Sequence, residues 1–157
     1  METCIIETPL GNAKIIGDTN GIASVSIDDT SEELSQIIPE NLLDCVTQLK
    51  AYFREERQYF DLRLNPNGTD FQKRVWRQLQ QIPYGKKCSY LELSIQLGDP
   101  KAARAVANAN GKNPLWIIVP CHRVIGSDGS LTGYAGGLHR KKWLINHEST
   151  NKQHTLF

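Results

Sequence analysis

Asn65-Pro66-Asn67-Gly68 gathers four turn-forming residues in one stretch, and the chain obeys different periodicities on its two sides. Before it, Ile22–Ile27 alternates apolar with small polar residues after an Asn20-Gly21 turn, the pattern of a half-buried strand. Leu42, Val46, Leu49 and Phe53 then recur at helical spacing, and Phe60, Leu62 and Leu64 alternate again, which predicts a closing strand. After it, Phe71, Val75 and Leu79 fall on one helical face that ends before Ile82-Pro83-Tyr84-Gly85. The prediction is an α+β protein with a small α/β domain over residues 1–64 and a mostly helical domain over 65–157.

Charge reverses at the same place. Residues 1–64 carry five Lys/Arg against twelve Asp/Glu, a net −7, and residues 65–157 carry thirteen against five, a net +8. A solvated surface of uneven charge has this composition, and so does a chain whose second half meets a polyanion. No apolar stretch is long enough to span a bilayer, so no membrane partner is expected. Met1–Leu10 contains Glu2 and Glu7 and does not read as a signal peptide. A cytoplasmic chain with reduced cysteines is the expectation. Cys4, Cys45, Cys88 and Cys121 form no close pair, and every histidine lies at or beyond position 122, so no metal site and no cofactor are predicted.

Within the basic half, Ser89-Tyr90-Leu91-Glu92 has capping-box spacing and opens a helix that Gly98 stops. Asp99-Pro100 starts another, which runs through an alanine-rich segment to Gly111. Two short helices and a tight turn at about 89–110 match a helix-turn-helix, whose second helix docks in a DNA groove. The small side chains of Ala102–Ala109 suit close helix packing and close approach to a nucleic-acid backbone alike.

The apolar segment Trp116-Ile117-Ile118-Val119 reads as extended and buried, and it runs into Pro120-Cys121-His122-Arg123-Val124. A lone cysteine beside an apolar run is ordinarily a small core hydrophobe. Here Pro120 interrupts a strand ladder, and His122 offers a proton carrier one residue from the thiol. Arg123 lowers the thiol pKa if it points that way. Adjacent side chains of an extended chain face opposite ways, so a turn at Pro120 or a bridging water has to join Cys121 to His122. Glu148 is available to orient the histidine, and equally reads as a surface carboxylate.

The run from Asn113-Pro114 through Pro120-Cys121-His122-Arg123-Val124 resembles the active-site segment of the O6-alkylguanine-DNA alkyltransferases. The likeness continues in Gly133-Tyr134-Ala135-Gly136-Gly137 and Trp143-Leu144-Ile145-Asn146-His147-Glu148, and upstream in Val75-Trp76, Ile82–Gly85, Ser89-Tyr90 and Ala102–Val106. The resemblance covers residues 70–148, and it implies a ribonuclease-H-like first domain. It implies that Cys121 accepts an alkyl group from guanine O6, and it leaves thymine O4 open as a substrate. His122 would activate the thiol through a water, Glu148 would orient the histidine, and Tyr90 would donate toward guanine N3. Asn113 would shape the active-site turn. Arg104 would fill the gap left by a flipped nucleotide, with Ala102, Ala105, Asn108 and Arg123 contacting DNA. Val124, Tyr134, Ala135 and Trp116 would line the guanine pocket.

The implied partner is double-stranded DNA containing O6-alkylguanine, bound by a monomer that reacts once. Trp116 departs from the family pattern, which has proline or a small residue there. As a pocket wall it would restrict large substituents, and as a core residue it would cover apolar area. Three rival readings remain. A non-catalytic protein recognising alkylated DNA would lack the acceptor cysteine, a Cys-His hydrolase would regenerate its thiol, and a helix-turn-helix regulator would need a palindromic site and usually a dimer.

Overall fold

The computed structural model describes residues 1–28, 32–131, 134 and 136–149, and the chain divides into two compact units. One comprises Met1–Asn67 with Pro114–Ile118, and the other Gly68–Asn113 with Val119–Phe157. The architecture is α+β, a small sheet with one helix followed by a helical body.

The first unit holds β1 (Glu2–Thr8), β2 (Gly11–Asp18) and β3 (Gly21–Asp28), an antiparallel sheet in the order β1-β2-β3, and α1 (Glu40–Phe53). Ile15 sits at its centre, opposite Cys4 on one side and Val25 on the other, and all three are buried. Leu42, Cys45, Val46, Leu49 and Tyr52 form the buried stripe of α1. In the last turn Tyr52 is the core residue and Phe53 is half-buried, a shift of one position from the predicted stripe.

The predicted closing strand over Phe60–Leu64 contracts to one parallel bridge, Ile22 to Leu64. The side chain of Gln48 accounts for part of this: its amide donates to the Asp61 carbonyl at 3.0 Å and accepts from the Asp61 N–H at 2.9 Å. One side chain thereby takes the backbone groups that a neighbouring strand would have used. A second connection was not legible in the sequence. Val25 donates to Pro114 O and accepts from Trp116 N at 2.9 and 3.0 Å, so residues 114–118 complete this unit from far along the chain.

The second unit holds α2 (Asp70–Leu79), β4 (Cys88–Ser89), α3 (Tyr90–Gln96), α4 (Ala103–Gly111), β5 (Val124–Ile125) and α5 (Leu138–Glu148). Local chemistry sets most of its helix ends. Both arms of the Ser89–Glu92 capping box are made, and Thr69–Gln72 forms a second box that opens α2. Gly98 adopts φ +86 beyond α3, and Asp99 caps a 3₁₀ turn over Pro100–Ala102 that leads into α4. Trp76, on α2, donates from its indole to Ala109 O on α4 at 2.9 Å and ties the two helices through a buried bond. The parallel β4–β5 pair sets Cys88 against Val124, immediately after the segment that carries Cys121.

Candidate active site

Two tight turns deliver Cys121. Ile118 N–H donates to Trp116 O at 2.8 Å around Ile117, whose φ is +70. Cys121 N–H donates to Val119 O at 2.8 Å around Pro120, at φ −80 and ψ 63. These are γ-turns of opposite hand, the second of the common kind and the first strained, more so for a β-branched residue. The extended strand predicted for Trp116–Val119 is therefore absent, because each of its ends folds back on itself within three residues. Leu115–Val119 are all buried, as their composition requires.

Trp116 consequently takes no part in strand alternation. Its indole belongs to the first unit, is 5% exposed, and lies 6.1 Å from the Phe53 ring. Its Nε1 is buried without a hydrogen-bond partner among the described residues.

Cys121–Arg123 form a 3₁₀ turn, so successive side chains leave it in different directions and all three are buried. His122 is 0% exposed, and its Nε2 lies 2.7 Å from Glu148 Oε2. Arg123 reaches the same carboxylate twice, Nε to Oε1 at 2.7 Å and Nη2 to Oε2 at 3.0 Å. Its Nη1 donates to Ile82 O at 2.7 Å, and its guanidinium lies 5.7 Å from the Tyr84 ring centre. Arg123 was expected among the DNA contacts. It is instead turned inward, because a buried carboxylate offers its planar fork a bidentate partner.

Burial would raise the pKa of Glu148, but the hydrogen bonds and charges of His122 and Arg123 outweigh it and hold the carboxyl well below the usual carboxylate range. An ionised carboxylate only accepts, so His122 Nε2 carries a hydrogen. Burial, with the charges of Arg123 and Lys141, depresses the histidine's pKa more than Glu148 raises it. The neutral ring thus has a bare Nδ1, which is buried and without a hydrogen-bond partner among the described residues. The Cys121 thiol is pushed up by burial and drawn part of the way back by a hydrogen bond from Asn113 and the charge of Lys141. Asn113 also donates to Val119 O at 2.8 Å, bracing the turn from within.

Lys141 is a residue of the candidate site that sequence reasoning missed. It sits in the basic run His139–Lys142, yet it is 0% exposed. Its ammonium lies 6.0 Å from the Tyr90 ring centre and 5.9 Å from that of Tyr134, and burial lowers its pKa. The signal was its spacing: Lys141, Leu144 and Glu148 share one face of α5, and all are buried.

The second unit therefore brings together Cys121, His122, Glu148, Asn113 and Arg123, with Tyr90 and Tyr134 joined through Lys141. Val124 is fully buried in β5 beside them in sequence. Ala135 lies outside the described residues. Arg104, Ala105 and Asn108 are exposed on one face of α4, and Ala102 is half-buried at its N-terminus. No group of His, Cys, Asp or Glu able to hold a metal occurs among the described residues, and no helix among them is long and apolar enough to cross a membrane.

Both units correspond to known sequence families. Residues 3–66 match the 6-O-methylguanine DNA methyltransferase, ribonuclease-like domain, and residues 70–150 match the 6-O-methylguanine DNA methyltransferase, DNA binding domain. The methylated-DNA–protein-cysteine methyltransferase of Methanosarcina barkeri is 44% identical over 94% of this chain and 96% of its own length. That of Mycolicibacterium paratuberculosis is 46% identical over 89% of this chain and 87% of its own. Among solved structures, the O6-methylguanine methyltransferase of Mycobacterium tuberculosis superposes with a TM-score of 0.85 at 43% identity, covering 95% of this chain and 93% of its own. The M. tuberculosis protein in complex with DNA superposes equally well, at 44% identity over 94% and 93%. With each half matched by its own domain and relatives aligned over nearly its whole length, the chain belongs to the family of methylated-DNA–protein-cysteine methyltransferases.

Proposed function

We propose that this protein repairs DNA by moving a methyl or other alkyl group from guanine O6 to the sulfur of Cys121, once per molecule. The observation that carries the reading is the buried Cys121–His122–Glu148 constellation, with an ionised carboxylate at one end and a bare imidazole nitrogen at the other. His122 Nδ1 takes the thiol proton through a water and leaves a thiolate facing the Lys141 charge. The sulfur lone pair attacks the alkyl carbon, a carbon–sulfur bond forms, and the carbon–O6 bond breaks with its electron pair staying on the departing guanine. Tyr90 donates toward guanine N3, and the Lys141 ammonium near its ring steadies the phenol as it gives up the proton. The product is a thioether, which water does not readily cleave, so the protein is consumed. Retention of Cys121 favours this reading over a non-catalytic recognition protein.

A target atom inside a stacked duplex is out of reach, so the base is extruded. The exposed face of Arg104, Ala105 and Asn108 on α4 suits a groove, its small residues admitting the backbone and Arg104 filling the vacated stack. Arg104→Ala is expected to slow repair of duplex substrate about tenfold, as if it had offset roughly 1–2 kcal/mol of extrusion, with binding to undamaged DNA little changed. Single-turnover rates on duplex and single-stranded substrate check this. Equal rates for mutant and parent on the duplex would leave Arg104 a surface residue.

The test of the whole reading is intact-mass analysis after incubation with DNA containing O6-methylguanine. A gain of one methylene mapped to Cys121 supports it, and turnover without an adduct supports a hydrolase. For Trp116 the core position leads to a different expectation from strand alternation. Trp116→Ser should cost about 3–5 kcal/mol of stability and leave the ratio of O6-benzylguanine to O6-methylguanine rate constants unchanged. A raised ratio at parental stability would make the indole a wall of the substrate pocket.

A further inference from the structure

The family likeness assigns the carboxylate to the histidine, yet in this structure the guanidinium of Arg123 holds more of it. Both Glu148 oxygens accept from Arg123, and Oε2 is shared between Arg123 Nη2 and His122 Nε2. We infer that Arg123 is a positioning residue of the reaction, holding Glu148 in a closed ion pair so that His122 remains a neutral base with Nδ1 bare. This rests on the proposed transfer to Cys121 and deepens it by naming what sets the state of the base.

Charge in a dry place sets the state of the ring. A buried carboxylate whose only charged partner is an imidazole favours the imidazolium, because a proton on the ring gives the carboxylate its counter-charge. Once that proton is in place, Nδ1 cannot accept another. With Arg123 present the carboxylate is already neutralised, and a further proton on His122 would be an uncompensated buried charge with Lys141 nearby. The charged and titratable groups acting on His122 are Glu148 and Lys141 from α5 and Arg123 from its own turn, with the Cys121 thiol next along the chain. Of these only Glu148 favours the protonated ring.

Geometry makes the arrangement specific to arginine. Nε and Nη2 occupy the two carboxylate oxygens while Nη1 holds the Ile82 carbonyl, and Tyr84 lies against the guanidinium. Gly85 follows at φ +78, and a Cβ there would lie 3.0 Å from the Glu148 carbonyl oxygen. The loop Ile82–Gly85 and the end of α5 are thus fastened around a single side chain. A lysine could supply the charge but not three directed donors.

The test compares full-length parent, Arg123→Lys and Arg123→Met. Transfer to Cys121 is followed in single turnover across pH 6 to 9, and the His122 ring nitrogens are titrated by NMR without substrate. Parental His122 should stay neutral over this range. In Arg123→Met its pKa should rise, so that transfer is about tenfold slow at neutral pH, where one unit of excess pKa leaves a tenth of the ring neutral, and recovers as pH rises. Arg123→Lys should keep a neutral ring and an unshifted pH profile at a lower plateau. If Arg123→Met fails to fold, Arg123→Lys decides: an imidazolium at neutral pH there would overturn the inference. So would a pH-independent loss in Arg123→Met with the ring still neutral. Because the titration needs no substrate, a parent that transfers nothing would sink the proposed function and leave this result to be read by itself.

Discussion

Cys121→Ala should abolish transfer completely while leaving DNA binding unchanged. On the proposed reading the sulfur is the atom to which the alkyl group becomes bonded, and alanine offers no substitute. Cys4, Cys45 and Cys88 are each buried, and burial raises the pKa of every one, Cys45 to about 12. Burial pushes Cys121 up as well, but there Asn113 and the Lys141 charge oppose it, and the other three have no such counterweight. None has His122 as its sequence neighbour or a hydrogen bond from Asn113. On the same reading DNA affinity rests on the basic half and the exposed face of α4, neither of which alanine at position 121 disturbs. Peptide mapping of mutant and parent after exposure to labelled substrate checks the first half of the expectation, and titration with undamaged duplex the second. Label on another cysteine of the mutant would overturn the assignment of the acceptor.

Glu148→Gln should cost much of the protein's stability. The carboxylate is 3% exposed and answers a guanidinium that is itself buried. The amide keeps the shape but loses the charge, leaving Arg123 as an unpaired ion away from water, which costs about 3–5 kcal/mol. Transfer should fall as well, because the histidine loses the acceptor that fixes its tautomer. The pH dependence carries a sign. The folded-state pKa of Glu148 is lowered from 4.5, so its contribution is fully present above that value and is lost as pH falls through the folded pKa. His122 is lowered from 6.5, so the unfolded chain binds its proton first and stability declines as pH drops below about that value. Denaturant titrations of parent and mutant should show a wide gap at pH 7 that narrows on acidification through the carboxylate range. A constant gap would mean that the mutant suffers from shape and not from charge.

Legibility in the sequence followed the range of the interaction. Ser89 with Glu92, Gly98, and Asp99 with Pro100 act on backbone within four residues, and each could be read directly from its neighbours. The stripe Leu42-Val46-Leu49 was legible because a helix repeats its own geometry. The Phe60–Leu64 strand failed where an alternating pattern met a side chain, Gln48, that answered its backbone first. Trp116–Val119 failed because composition reports burial and says nothing of two successive γ-turns. At the site, Cys121, His122 and Glu148 could be named by type and by family likeness. The direction of Arg123 depends on what α5 brings to the turn, which no local pattern encodes, and the burial of Lys141 showed only in its helical spacing with Leu144 and Glu148.

The route of the chain has a consequence for how the protein is made. Residues 114–118 complete the first unit, so the backbone groups of Val25 have their partners only after the ribosome has passed Leu115. Until then β3 lacks the backbone groups that Pro114 and Trp116 give to Val25, and an unpaired strand edge is a template for pairing with other chains. Such a distant closure raises contact order and slows folding. Synthesis arrested between Asn67 and Pro114 would release a nascent chain with an unfinished sheet, so the acidic unit, the first to emerge, is the one whose native contacts close late.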